Sequence, residues 1–176
     1  MAGCLLSDGN DPMKRLFHAF IVVGVLAFSS SALEASISPQ AMELLPLLAK
    51  TIKAQWVNCP QPWILAGKIE QESSWKTRAE LKTKREYGFG LGQITIAYNT
   101  DGSERFNNFI QALKVTMMEN QITWEKRFDP KFQLTYAVLS SRSNYCAVSK
   151  FFDDDESKTA GMLVAYNAGL GRIVQR

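Results

Sequence analysis

The sequence predicts a mostly α-helical single domain of the α+β class, with one small glycine-rich loop or hairpin. Three observations lead to this prediction. Apolar residues recur at the three- and four-residue spacing of a helix through most of the chain. Three alternate glycines, Gly88, Gly90 and Gly92, interrupt that spacing. The chain that follows an N-terminal leader is long enough to bury one core and too short for two.

Five segments are predicted to be helices. The first has apolar residues from Met42 to Trp56, and we expect it to be interrupted or bent at Pro46. The second begins with Pro62, a residue that suits a first helical turn. The predicted helices cover residues 41–56, 62–73, 104–119, 130–146 and 156–166.

The glycine-rich segment covers residues 87–96 and reads Tyr-Gly-Phe-Gly-Leu-Gly-Gln-Ile-Thr-Ile. Alternate glycines disfavour a helix and allow close backbone approach, so a tight loop or short hairpin is expected there. Residues 99–103, Asn-Thr-Asp-Gly-Ser, predict a turn directly after it.

Residues 13–35 have the order of a secretory signal. Basic Lys14 and Arg15 come first, the uncharged apolar run Leu16–Phe28 follows, and small residues come last. The run is shorter than the ~20 residues of a membrane-spanning helix, which favours a cleaved signal. A buried core helix or an uncleaved anchor is the alternative.

Cleavage of this signal is expected after Ala32 or Ala35. Residues 1–12 form an N-terminal extension of uncertain status, because translation could start at Met13. The folded domain would then span residues 36–176. We expect it to be periplasmic or secreted, with the membrane as a partner only through the export signal.

Composition excludes several classes of enzyme. The single histidine, His18, lies inside the signal, so the domain has no histidine for a Ser-His-Asp or Cys-His site or for a His-ligated zinc. Residues 1–35 contain two of the 20 basic residues and three of the 17 acidic residues. Without them, 18 basic and 14 acidic residues remain, which is a net charge of +4. This mild excess favours an anionic surface such as the bacterial wall, and it lacks the dense basic stripe of a nucleic-acid binder.

Two cysteines follow the signal, Cys59 and Cys146. An oxidising compartment would favour a disulfide between them, and they are too few for a metal cluster. Two free thiols are the alternative.

Three short motifs carry the functional information. They are Gln71–Trp75 (Gln-Glu-Ser-Ser-Trp), Gly90–Ile94 (Gly-Leu-Gly-Gln-Ile) and Ala165–Gly169 (Ala-Tyr-Asn-Ala-Gly). In this order the motifs resemble those of the lysozyme-like lytic transglycosylases, the soluble lytic transglycosylase group in particular. The resemblance covers roughly Pro62 to Arg172 and implies a lysozyme-like α+β fold that acts on peptidoglycan glycan strands, as a monomer.

Glu72 is the candidate catalytic residue. It ends a largely apolar predicted helix beside Trp75, and partial desolvation of a carboxyl raises its pKa so that it can act as a general acid. A solvated helix-end glutamate is the alternative. Glu70 is ~200° away around the helix, so the two cannot face the same cleft. The resemblance selects Glu72, which directly precedes the serine, and leaves Glu70 at the surface.

Most glycosidases need two carboxylates. Glu80, Glu86 and Asp101 are present in the chain, but none has a matching context. The resemblance implies a route with one carboxylate and no metal or organic cofactor. Glu72 protonates the oxygen between N-acetylmuramic acid and N-acetylglucosamine, then takes a proton from the 6-hydroxyl that closes on C1 as a 1,6-anhydro ring.

The remaining site residues follow from the same motifs. Gly90 would let the backbone approach a sugar ring, and the Gln93 amide would bind a hydroxyl or N-acetyl group. The resemblance implies that the Tyr166 hydroxyl contacts Glu72, that Asn167 is a substrate-side amide, and that Ser73 orients Glu72 or touches substrate. A structural turn, a core tyrosine and a capping asparagine are the alternatives.

The chain departs from the family at its C-terminus, and three competing functions stay open. The family continues with further helix, whereas this chain ends at Arg176, so a minimal or C-terminally truncated domain is expected. A goose-type lysozyme would hydrolyse the same bond, with a water activated by Glu86 or Asp101. A catalytically weak glycan-binding protein is the second competing function, and a small membrane-anchored interaction protein is the third.

Overall fold

The computed structural model describes residues 37–174, and it divides the chain into two units at Ser36 and Ile37. The second unit combines helices with a small antiparallel sheet, so the predicted α+β class is confirmed. The predicted extension and signal, residues 1–35, lie outside the described residues. Within 37–174, no helix is both long and apolar enough to cross a membrane.

Two helices open the domain. Helix α1 spans Pro39–Gln55, and its N-terminus is capped by the Ser38 side chain, which accepts a hydrogen bond from the Ala41 amide. It continues through Pro46, so of the predicted interruption or bend the interruption is wrong. Helix α2 spans Pro62–Ser73, the predicted range, and has proline in its first turn.

A four-stranded antiparallel sheet follows, with its strands in sequence order. The strands are β1 (Glu80–Lys82), β2 (Glu86–Phe89), β3 (Ile94–Tyr98) and β4 (Glu104–Asn107). The glycine-rich segment is the β2–β3 hairpin, in which Phe89 pairs with Ile94. The predicted hairpin is therefore the centre of a larger sheet, and residues 99–103 form the turn between β3 and β4.

The predicted helix 104–119 is wrong at both ends. Residues 104–107 form β4, and helix α3 spans Asn108–Thr116. Its start is set by Asn107, whose side-chain oxygen accepts hydrogen bonds from the amides of Phe109 and Ile110. Its end is set by Met117, which has a left-handed backbone with φ 56°.

Three more helices complete the domain. Helix α4 (Pro130–Val148) and helix α5 (Asp155–Ala168) extend one to two residues beyond their predicted ranges, and a 3₁₀ turn, Ser149–Phe151, lies between them. Asp154 caps α5 by accepting a hydrogen bond from the Ser157 amide. Helix α6, Gly171–Val174, was not predicted.

The core has two parts, and α4 contributes to both. Helices α1, α2, α4 and α5 enclose one apolar cluster that contains Ile69, Trp75 and Val138. The sheet packs on α3 and α4 around a second cluster that contains Phe89 and Phe132. Because α4 joins the clusters, it holds α2 and the sheet on either side of the candidate site.

The predicted disulfide is not formed. Cys59 is half-buried against the helical cluster, Cys146 is exposed on α4, and both are free. Tyr145 takes the inward position beside Trp56, with ring centroids 5.3 Å apart. Consecutive helical residues point ~100° apart, so Cys146 does not share the inward direction of Tyr145.

Candidate active site

Glu72 lies in the last turn of α2 with its carboxyl half-buried. Burial raises the pKa of this carboxyl above its usual range, and the positive charge of Lys68 opposes that rise. The neighbouring Ile69 packs in the core and fixes the rotation of the helix, which directs Glu72 towards the sheet. A carboxyl in this setting retains its proton to higher pH than a solvated one does.

The carboxyl opens on a cleft of about 210 Å³. Small-molecule pockets commonly measure ~300–1,000 Å³, so this cleft would enclose the reacting part of a long ligand and leave the rest outside. Its other walls come from the β2–β3 loop, the start of β3 and helices α3, α4 and α5. The lining residues are Glu72, Gly92, Gln93, Ile94, Thr95, Asn108, Tyr136, Tyr166 and Asn167.

Tyr166 joins α5 to the glycine-rich loop. Its hydroxyl donates a 2.5 Å hydrogen bond to the Gly92 carbonyl. The predicted contact between this hydroxyl and Glu72 is therefore wrong. Burial, and then the negative charge of Glu72, raise the pKa of Tyr166 above its ordinary range. The hydroxyl therefore stays protonated and holds the loop beside Glu72.

Ser73 does not reach the cleft. Its side chain is buried, and its hydroxyl donates to the Ile69 carbonyl at 3.1 Å, within the same helix. It is ~100° around the helix from Glu72, which turns it towards the core. The predicted role in orienting Glu72 or touching substrate is therefore not supported by its position.

Gly90 is also placed beneath the cleft and not in its wall. Its φ is +77°, and a Cβ at this position would overlap Nε2 of Gln133. The Gln133 side chain accepts from the Leu91 amide and donates to the Arg127 carbonyl, both at 2.8 Å. Gly90 thus makes room for the buried amide that fixes the loop.

Gln93 and Asn167 line the cleft where the sequence predicted substrate-side amides. Gln93 has a left-handed backbone, φ 46°, and its Nε2 donates to the Gly90 carbonyl at 3.1 Å. Asn167 is exposed, and its Nδ2 donates to the Leu163 carbonyl at 3.2 Å. Each amide has its oxygen and further donor capacity left for a ligand.

Sequence reasoning missed four neighbours of Glu72. Thr95, Asn108 and Tyr136 line the cleft, but they come from elements whose packing has no local signal. Lys68 could have been found, because it lies four residues before Glu72 and therefore on the same face of α2.

Lys68 is buried, with 6% of its surface exposed. Its Nζ donates to Oγ of Ser141 at 3.0 Å and lies 3.3 Å from the ring centroid of Tyr166. Burial lowers the pKa of Lys68 to about 7, although the charge of Glu72 opposes this.

No second carboxyl lines this cleft among residues 37–174. Glu70 is exposed, as predicted, and the Glu80 carboxylate accepts hydrogen bonds from Tyr87 and Arg127. Glu86 lies at the surface near Arg105, and Asp101 accepts from Ser103 in the β3–β4 turn. All four carboxyls are therefore engaged or solvated away from Glu72.

Larger hollows occur elsewhere on the domain. One of 780 Å³ is mainly apolar and borders the 3₁₀ turn and α5, and one of 540 Å³ borders β1 and Trp124. Neither contains a carboxyl with a raised pKa, which is the feature that marks the Glu72 cleft as the candidate active site. Within the described residues, no three acidic or cysteine side chains cluster as metal ligands.

No protein-family model matches the sequence, and neither a curated protein nor a solved structure matches it.

Proposed function

We propose that this protein is a peptidoglycan lytic transglycosylase with a lysozyme-like domain. One observation carries the proposal: Glu72 is the carboxyl that lines the cleft, and burial raises its pKa. A general acid must hold its proton near the working pH, and a partly desolvated glutamate does so. The substrate would be the β-1,4 bond between N-acetylmuramic acid and N-acetylglucosamine.

The proposed reaction uses Glu72 twice. Glu72 first gives its proton to the bridging oxygen as the bond from that oxygen to C1 of the muramic acid breaks. The resulting carboxylate then takes the proton of the 6-hydroxyl, whose oxygen bonds to C1. The products are a 1,6-anhydro end and a free 4-hydroxyl, and Glu72 regains its proton without a metal or organic cofactor.

The cleft walls suit an uncharged sugar. Gln93, Thr95, Asn108 and Asn167 offer amides and a hydroxyl, which bind sugar hydroxyl and N-acetyl groups. Tyr166 secures the Gly92 carbonyl, so the loop that carries Gln93 is fixed before substrate binds. Such preorganisation lowers the cost of orienting the reacting bond.

The arrangement favours a transglycosylase over a hydrolase. A hydrolase with a water nucleophile places a second carboxyl ~6.5–9.5 Å from the acid. Glu86 and Asp101, the residues considered for that role, are solvated near Arg105 and in the β3–β4 turn. Intramolecular attack by the 6-hydroxyl needs no second carboxyl.

The proposed site of action is the cell wall, which the protein would reach as a monomer exported by residues 13–35. A net charge of +4 after signal removal favours contact with this anionic polymer.

Glu72→Gln tests the function. The amide keeps the size of the side chain but has no proton to give, so cleavage of purified peptidoglycan should fall by ~10²–10⁴-fold or more. Mass analysis of the muropeptides from unmutated enzyme should show 1,6-anhydro-N-acetylmuramic acid.

Glu70→Gln is the matched control, because Glu70 is exposed on the same helix, and it should retain nearly full activity. Full activity in Glu72→Gln would remove the site assignment. Reducing ends in place of anhydro ends would identify a hydrolase.

A further inference from the structure

Lys68 is a charged side chain in an unusual place. Lysines are almost never fully buried unless they are paired. Here the ammonium group is enclosed by three elements: its own helix α2, Ser141 on α4 and the Tyr166 ring on α5. The hydroxyl accepts one hydrogen bond and the ring face attracts the cation, so these two contacts offset part of the cost of burying the ammonium.

The same charge lies one helical turn from Glu72. Side chains four residues apart are neighbours on a helix, with ~5–6 Å between their Cβ atoms. No ion pair within 4.0 Å joins Lys68 and Glu72 in the described part of the chain, because the ammonium is turned towards Ser141 and Tyr166. The two charges therefore interact through space, in surroundings that screen them less than water does.

We propose that Lys68 is a positioning residue that sets the proton occupancy of Glu72, and that the two side chains titrate as a coupled pair. This inference rests on the proposed function for its catalytic consequence. A single glutamate that serves first as acid and then as base must both lose its proton and regain it. Its carboxylate form can therefore be neither strongly stabilised nor strongly destabilised relative to the protonated form. Burial of Glu72 disfavours the carboxylate, and the nearby ammonium favours it.

The other titratable groups near the pair stay neutral through the pH range of interest. Tyr166 from α5 faces both Lys68 and Glu72, and Tyr136 from α4 lies near Tyr166. Burial raises the pKa of both phenols. Ser141, the partner on α4, does not titrate. Lys68 is therefore the residue whose charge changes near neutral pH beside Glu72.

The experiment is an NMR titration of Glu72 and Lys68, with ¹³C in the glutamate carboxyls and lysine Cε atoms. Difference spectra against Glu72→Gln and Lys68→Met assign the two signals. In Lys68→Met the pKa of Glu72 should rise, because the ammonium that stabilised the carboxylate is gone. In Glu72→Gln the pKa of Lys68 should fall by an equal amount, since a coupling free energy is reciprocal.

Lys76→Met is the matched control. Lys76 lies four residues after Glu72, as Lys68 lies four before it, but Lys76 is exposed beyond the end of α2. Replacing Lys76 should leave the pKa of Glu72 unchanged. In cleavage assays, the fall of kcat/KM at alkaline pH should move to higher pH in Lys68→Met and stay in Lys76→Met.

An unchanged Glu72 titration in folded Lys68→Met would overturn the proposal, and so would an unshifted alkaline limb. If Lys68→Met does not fold, the Lys68 titration in Glu72→Gln decides alone, and an unchanged pKa there refutes the coupling. Failure of the unmutated protein to cleave peptidoglycan would overturn the proposed function, while the titrations, which need no cleavage, would still test the pair.

Discussion

Among single residues, Gly90 shows most directly how the sequence fixes the loop beside Glu72. Its backbone has φ +77°, a conformation that costs an L-residue ~1–2 kcal/mol. A Cβ there would also overlap the amide of Gln133, which holds the loop through Leu91 and Arg127. Two independent costs therefore oppose any other residue at this position.

Gly90→Ala should destabilise the fold by about 2–4 kcal/mol, since backbone strain and overpacking act together. Gly102→Ala is the matched control: its φ is +84°, but a Cβ there has nothing within 4 Å. It should cost only the strain, about 1–2 kcal/mol. Urea unfolding at one pH measures both variants, and equal losses would show that contact with Gln133 contributes nothing.

Local sequence identified Glu72, Gln93 and Asn167 in the cleft, because each belongs to a recognisable motif. It failed for Ser73, whose adjacency to Glu72 in sequence suggested a shared role. Adjacent helical residues point ~100° apart, so Ser73 and Glu72 lie on different faces of α2. Lys68, four residues before Glu72, lies on the same face as Glu72. The apolar residues of α2 define its phase, so this error was avoidable.

At the scale of elements, the end of α2 is held in strained backbone. Ser74 and Trp75 both have left-handed φ, 48° and 61°, and they begin two residues after Glu72, the residue proposed as catalytic. Trp75 is buried in the helical cluster, so a substitution there would also remove core contacts. Ser74 is exposed, so its strain can be changed without loss of core contacts.

Ser74→Gly should stabilise the domain by about 0.5–1 kcal/mol, because glycine adopts the left-handed C-cap without a steric cost. Ser143→Gly makes the same change at an exposed site inside α4, where glycine is unfavourable, and should destabilise by a similar amount. Thermal unfolding should shift in opposite directions, and the same sign for both would contradict the strain argument.

The helices were predictable because their signals are local. Helices α2 and α4 both start with proline, and apolar spacing follows it. These signals predicted the first residue of each helix correctly. Strand β4 was not predictable in this way, since it exists through pairs such as Ala97 with Phe106. One local signal was overlooked: Asn107 is a preferred N-cap directly before an apolar helix.

For the whole molecule, the buried charges around the cleft determine how stability depends on pH. Lys68 has a pKa of about 7 in the fold and 10.5 when exposed. Below pH 7 both states are protonated, and the fold bears the full cost of a buried ammonium. Between the two values the unfolded chain binds more protons, so stability must rise with pH across that window.

Other groups act outside this window or against it. The raised pKa of Glu72 means that the fold binds more protons than the unfolded chain above the ordinary glutamate pKa of 4.5, so its contribution to stability is lost as pH rises. Tyr136 and Tyr166 also have raised pKa values, and they reduce stability only as pH passes their ordinary value of 10. Burial also raises the pKa of the Cys59 thiol above 9.0, which reduces stability as pH approaches that value. The rise due to Lys68 is therefore best isolated between about pH 7.5 and 8.5.

We expect the free energy of unfolding to increase with pH in that range, with a slope that approaches about 1.4 kcal/mol per pH unit from this one group. Urea unfolding at four or five pH values measures it. Lys68→Met should have a flat profile and, because it removes a buried charge, should be at least as stable as the unmutated protein near pH 7. Lys76→Met, exposed and outside the cleft, should keep the slope. A flat profile in the unmutated protein would mean that Lys68 keeps its proton in the fold to the same pH as in the unfolded chain, and the buried ammonium would then carry no cost.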